Sequence, residues 1–63
     1  MTTRIWTKKQ TQEVIKVLRD AGLTVNKSNN KYETIIDGKT IFRAMLGTNS
    51  YLVTYADDLF VQQ

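Results

Sequence analysis

The chain has no cysteine, no histidine and no proline among its 63 residues. Without cysteine no disulfide can staple the domain, a usage that fits a reducing compartment. With histidine missing as well, the usual ligands of a structural zinc site are gone. Chains this short commonly lean on a disulfide, a metal or a partner subunit, so a partner or a second copy is the support left to expect. The same two absences remove the commonest general base and the best side-chain nucleophile. Asp57-Asp58 is the only close carboxylate pair; its members point to opposite faces of a strand, and one of them serves more simply as a helix N-cap. Gly22, Gly38 and Gly47 stand apart at turns, with no phosphate-cradling loop among them. A non-enzyme with no metal and no cofactor is therefore expected. No apolar run approaches the roughly 20 residues needed to cross a bilayer, and a cytoplasmic protein without a membrane partner is the expectation. There is no repeat or low-complexity linker, so residues 1–63 read as one domain.

The charge that is present is unevenly placed. Residues 1–31 carry Arg4, Lys8, Lys9, Lys16, Arg19, Lys27 and Lys31 against Glu13 and Asp20, a balance of +5. Residues 32–63 carry Lys39 and Arg43 against Glu33, Asp37, Asp57 and Asp58, a balance of −2, which gives the net +3. A polarised small protein of this kind suits an anionic partner on its basic half, although scattered surface lysines also serve solubility alone.

Thr7 followed by Gln10 reads as a capping box opening a helix that runs to Ala21, with Gly22 as the left-handed residue beyond its end. At 100° per residue Thr11, Val14, Val17, Leu18 and Ala21 share a side, with Ile15 at its margin; the opposite side gathers Lys8, Lys9, Gln12, Glu13, Lys16, Arg19 and Asp20. Lys8 and Lys9 fall in the first turn, where the helix dipole disfavours cations by a few tenths of a kcal/mol each. Beyond Gly22 the period becomes alternating. A first strand over Leu23 to Lys27 turns at Ser28-Asn29-Asn30, and Lys31–Ile36 and Lys39–Leu46 flank Asp37-Gly38, a strong type I′ hairpin signal. A loop at 47–50 returns the chain into Tyr51–Tyr55. The fold class expected is α+β, one N-terminal helix packed on a three- to four-stranded antiparallel meander (α-β-β-β-β).

A two-residue hairpin loop sets Ile36 opposite Lys39, Thr34 opposite Ile41 and Tyr32 opposite Arg43, while the second loop sets Leu46 opposite Tyr51, Ala44 opposite Val53 and Phe42 opposite Tyr55. Ile35, Phe42, Ala44, Leu46, Tyr51, Val53 and Tyr55 then share the helix side. Tyr32, Thr34, Ile36, Ile41, Arg43, Met45, Leu52 and Thr54 share the other, which is too apolar for a free surface. Either Leu59-Phe60-Val61 folds over that face or another molecule does, most simply a second copy stacked sheet to sheet.

The run VLRDAGLTV followed by KYETIIDGKT, a helix leaving through Ala-Gly-Leu into a strand and hairpin, resembles the double-stranded-RNA-binding-like fold of the HicA toxin family. The resemblance covers the first half of the chain and rests on topology. Those toxins depend on a histidine in the strand after the helix, which this chain does not have, so toxin activity is not expected.

Two functions remain. In the first, the chain is a regulatory module binding nucleic acid through Arg4, Trp6, Thr7, Lys8, Lys9, Lys16 and Arg19, with phosphate held at the helix start and Trp6 offering a stacking surface against its plainer role as a plug at the helix entry. In the second, it is a regulatory or inhibitory adaptor, of the phage or mobile-element accessory type, that occludes a partner protein through Tyr32, Ile36, Ile41, Arg43, Met45 and Leu52.

Overall fold

The computed structural model describes residues 1–60. Its elements are β1 (Thr2–Thr7), α1 (Lys8–Asp20), β2 (Asn26–Ser28), β3 (Lys31–Ile36), β4 (Lys39–Leu46) and β5 (Ser50–Tyr55). The α+β class with one helix on an antiparallel sheet is as the sequence reads. The sheet is five-stranded, in the order β1-β5-β4-β3-β2, because the residues ahead of the helix form a strand of their own. Thr2-Thr3-Arg4-Ile5-Trp6-Thr7 holds five β-branched or aromatic residues in six positions, a composition that suits a pleated surface. β1 pairs with β5 from Thr2↔Tyr55 to Thr7↔Ser50.

Both ends of α1 form as their residues dictate. The Thr7 hydroxyl accepts from the Gln10 N–H at 3.1 Å, and the Gln10 side-chain carbonyl accepts from the Thr7 N–H at 3.0 Å. At the far end the Gly22 N–H donates to the Arg19 carbonyl and the Leu23 N–H to the Leu18 carbonyl, both at 3.0 Å. That pair of bonds is a Schellman motif, and it needs the left-handed backbone that Gly22 adopts at φ 90°. The buried side is Thr11, Ile15 and Leu18. Val17, expected inside, is 60% exposed, and Ala21 is exposed too. The helix is rotated so that Ile15 sits centrally, which Thr11 permits by donating its hydroxyl to the Thr7 carbonyl at 2.9 Å.

The turns follow their residues: Asp37 and Gly38 both take positive φ (52° and 76°), as a type I′ turn requires, and Asn29 does so at 45°. Register between β4 and β5 is as expected, Phe42↔Tyr55, Ala44↔Val53 and Leu46↔Tyr51. Between β3 and β4 it is not. Ile36 does face Lys39, but Thr34 faces Phe42 and Tyr32 faces Ala44, the ladder skipping Ile41 at a bulge. A regular ladder would have turned Lys31 and Glu33 toward the core alongside Phe42 and Ala44. The bulge sends them to the open side, where they pair at 3.5 Å, and brings Tyr32 and Thr34 under the helix while Ile35 turns out. One cost of the exchange is visible: the Thr34 Oγ1 is buried without a hydrogen-bond partner.

The core lies on the helix side, where Phe42, Ala44 and Val53 are fully buried with Ile15, Leu18, Val25 and Tyr51. Leu59 and Phe60 cover this same side. Phe60 packs on Tyr55 and Trp6, ring centroids 5.1 and 6.2 Å apart, and Trp6 also meets Tyr55 and Phe42 at 5.7 and 6.3 Å. Cover of the opposite face by Leu59 and Phe60 is thus corrected: both pack on the core side, and Val61 lies outside the described residues. Among the described residues no helix follows Asp57-Asp58 for either to cap. Asp57 accepts from the Thr2 hydroxyl at 2.6 Å and lies 3.5 Å from the terminal amine, which together hold its carboxyl below the usual aspartate range. That contribution is present above pH 3.8 and lost as pH falls through the lowered folded value.

Candidate functional site

α1 starts at the β1 edge and crosses the sheet toward β2. Its capping box satisfies the amides of Thr7 and Gln10, which leaves those of Lys8 and Lys9 without an intrahelical acceptor. No acidic residue stands in the first turn, so the positive end of the helix and two exposed ammonium groups coincide. Glu13 and Asp20, on the same exposed side of α1 as Lys9 and Lys16, make no ion pair with them; among the described residues the ion pairs are Met1 with Asp57 and Lys31 with Glu33.

The cations of the helix divide by angle. Lys8, Gln12, Lys16 and Arg19 fall within an arc of about 80° at 100° per residue, on the flank that borders β2 and β3, while Glu13 and Asp20 lie outside it. The Gln12 side-chain amide donates to the Tyr32 hydroxyl at 3.3 Å, and Arg19 donates to the Val25 carbonyl at 3.2 Å, which fixes the guanidinium beside the start of β2. Lys27, paired with Tyr32 across β2 and β3, holds its ammonium 5.8 Å from the Tyr32 ring centre. These groups have a joint electrostatic effect. The Gln12 hydrogen bond first, then the charges of Lys27 and Arg19 together with a hydrogen bond from Tyr51, lower the Tyr32 phenol below its ordinary 10.0 against a desolvation that raises it. Such a surface stabilises negative charge placed at it. From Lys8 to Arg19 the strip runs about 16 Å along the helix, the length of roughly five phosphates of one duplex strand.

Of the residues expected to bind an anion, Thr7, Lys8, Lys9, Lys16 and Arg19 are on α1 or its cap. Arg4 and Trp6 are on β1, at the opposite sheet edge from Lys27, four strand spacings or roughly 19 Å away. Arg4 is exposed. Trp6 is half-buried among Phe42, Tyr55 and Phe60, the plug at the helix entry and not a free stacking surface. Gln12, Lys27 and Tyr32 were not foreseen in this role. The spacing Lys8, Gln12, Lys16 contained the first, whereas Lys27 beside Tyr32 follows from a register that the bulge conceals.

The residues expected at a protein interface also separate. Tyr32 belongs to the helix side, its ring 6.0 Å from that of Tyr51. Arg43, Met45 and Leu52 are exposed on the open face; Ile36 is exposed at the hairpin turn and Ile41, at the bulge, is half-buried. Ile5 joins them: the paired row Ile5, Leu52, Met45 crosses three strands with exposures of 74, 49 and 45%. Arg43 lines a shallow depression with Met1, Thr40 and Thr54 on the same side. No helix among the described residues is long and apolar enough to cross a membrane. No family model matches the chain, and neither the curated proteins nor the solved structures contain a match to it.

Proposed function

We propose that the chain is a non-enzymatic binding module that holds the phosphate backbone of nucleic acid along the α1 flank, acting in regulation in the cytoplasm. The observation that carries this reading is the meeting at Tyr32 of the Gln12 amide and the Lys27 ammonium, with the Arg19 guanidinium fixed on the Val25 carbonyl beside β2, continued along the helix by Lys16 and Lys8. Cations that no acidic side chain neutralises, placed along a strip of this length, favour backbone tracking over base readout. The half-buried Trp6 and Tyr32 rings are held by neighbours, which fits recognition by charge more than by stacking.

Binding of a fluorescent oligonucleotide, followed by anisotropy across a salt series, tests this. Four phosphate contacts from Lys8, Lys16, Arg19 and Lys27 give a slope of log K against log salt of about −3 to −4, and Lys16→Glu with Lys27→Glu cuts that slope by about half or more. Both side chains are exposed, so the fold survives the change. Equal affinity of wild type and double variant at low salt contradicts the reading.

A second reading is favoured by the open face. The row Ile5, Leu52, Met45 with Arg43 beside it is a surface for a partner protein, and there the module acts as an adaptor that occludes what it binds. Apolar docking of this kind changes little with salt, and Met45→Lys or Leu52→Lys abolishes it.

A further inference from the structure

The sheet has two unlike edges. β2, at one end, is three residues long and carries Asn26, Lys27 and Ser28; β1, at the other, is six residues long with Arg4 as its one charge and no proline or bulge. Edge strands are ordinarily short, charged or interrupted, because a row of unpaired backbone groups templates another strand. β2 meets that description and β1 does not.

The outward groups of β1 can be identified. Gly47 N–H donates to Ser50 C=O and Ala56 N–H to Ile41 C=O, so the even-numbered residues of β5 bond toward β4. Tyr51, Val53 and Tyr55 are left to bond with their partners Trp6, Arg4 and Thr2. The Thr7 N–H turns away from Ser50 to Gln10, as the same alternation requires. The N–H and C=O groups of Thr3 and Ile5 therefore face the free side.

We infer that β1 pairs antiparallel with β1 of a second copy of this chain, with Ile5 on the two-fold axis, to make a continuous ten-stranded sheet. Antiparallel registers in which outward groups meet outward groups place residues of like parity opposite each other, which puts both helices on one side of the joined sheet. Centring on Arg4 opposes two guanidinium groups at the closest cross-strand distance, which is unfavourable. Centring on Ile5 opposes Ile5 to Ile5, Thr3 to Thr7 and Arg4 to Trp6, a set with no like charges opposed, in which Thr7, its N–H and C=O held by Gln10 and Thr11 of its own copy, adds side-chain contact and no ladder bond. The Ile5 amide and carbonyl are reciprocally bonded there, and the two Arg4 guanidinium groups are kept apart. On the open side the apolar row becomes Met45, Leu52, Ile5, Ile5, Leu52, Met45, which withdraws the most exposed of these side chains from water. A 63-residue chain without disulfides gains from the added burial.

Sedimentation velocity over a concentration series, with amide exchange of the wild type measured alongside, tests the pairing. A reversible dimer is expected, with protection of the Ile5 amide that rises with protein concentration while that of Arg4, bonded within the monomer, does not change. Ile5→Lys sets two ammonium groups opposite each other and removes the dimer, whereas Met45→Lys, on the face but off the edge, retains it. Ile5 is so exposed that its replacement leaves the monomer folded, and exchange in the wild type reads the edge without any variant. A monomer at every concentration, an Ile5 amide unprotected throughout, or a dimer that survives Ile5→Lys and dissociates with Met45→Lys overturns the inference.

Discussion

The two faces of the sheet are made by the same strands and have opposite fates. On one, Phe42, Ala44 and Val53 are removed from water under α1 and the 56–60 segment; on the other, one residue along each strand, Leu52 and Met45 remain about half exposed. The difference does not lie in hydrophobicity, since Leu and Met bury as readily as Val and Ala. It lies in where the covering elements go. α1 leaves β1 toward one side, and Asp57, tied to Thr2 and the terminal amine, directs Phe60 back onto the ring of Trp6 on that same side. Among the described residues the covering elements are one helix and the 56–60 segment, and both lie on the core side.

Truncation separates the faces most sharply. Phe42→Ala empties a fully buried site and costs about 3–5 kcal/mol, enough to leave a 63-residue domain largely unfolded, whereas Leu52→Ala changes stability by less than about 1 kcal/mol because its surroundings are water. Urea denaturation of the two variants reads the contrast directly, and equal losses would mean that the open face is covered in solution. On the core side itself, Thr34→Val replaces an unpartnered buried hydroxyl by a methyl of the same shape. It raises stability by about 1 kcal/mol, visible as a higher urea midpoint at unchanged slope. Smallest is the effect of Gln12→Ala. Loss of that hydrogen bond moves the Tyr32 phenol back up toward 10.0, seen in its ultraviolet titration. Because the folded phenol is the more acidic, its contribution to stability is complete above pH 10.0 and is lost as pH falls through the lowered folded value.

Much of the covered face was legible in the sequence. Thr7, Gln10 and Gly22 delimit the helix, Asp37-Gly38 sets the hairpin, and the alternation through Phe42, Ala44, Tyr51 and Val53 marks the core. Two things were not. β1 was hidden because Trp6 and Thr7 also make sense as the approach to a cap, and one stretch can be both strand and N-cap. The bulge at Ile41 was hidden because a tight turn implies a regular ladder; the warning was Glu33, which that ladder would have turned toward the core. This single slip moved Tyr32 from the expected interface to the basic flank, so the site around it became visible only with the register in place. The basic helix surface itself was legible, while its division into a pure cationic flank and a mixed-charge strip follows from how α1 lies on the sheet.

The central claim is that the basic flank, and not the open face, takes the partner. The most direct measurement is a nuclear magnetic resonance titration of the uniformly nitrogen-15-labelled chain with a short oligonucleotide at low salt, repeated at high salt. The account predicts that amide shifts concentrate at Lys8, Gln12, Lys16, Arg19, Lys27 and Tyr32 and collapse at high salt, with Met45 and Leu52 unmoved. Shifts confined to Met45, Leu52 and Arg43, or none at any of these residues, would contradict it.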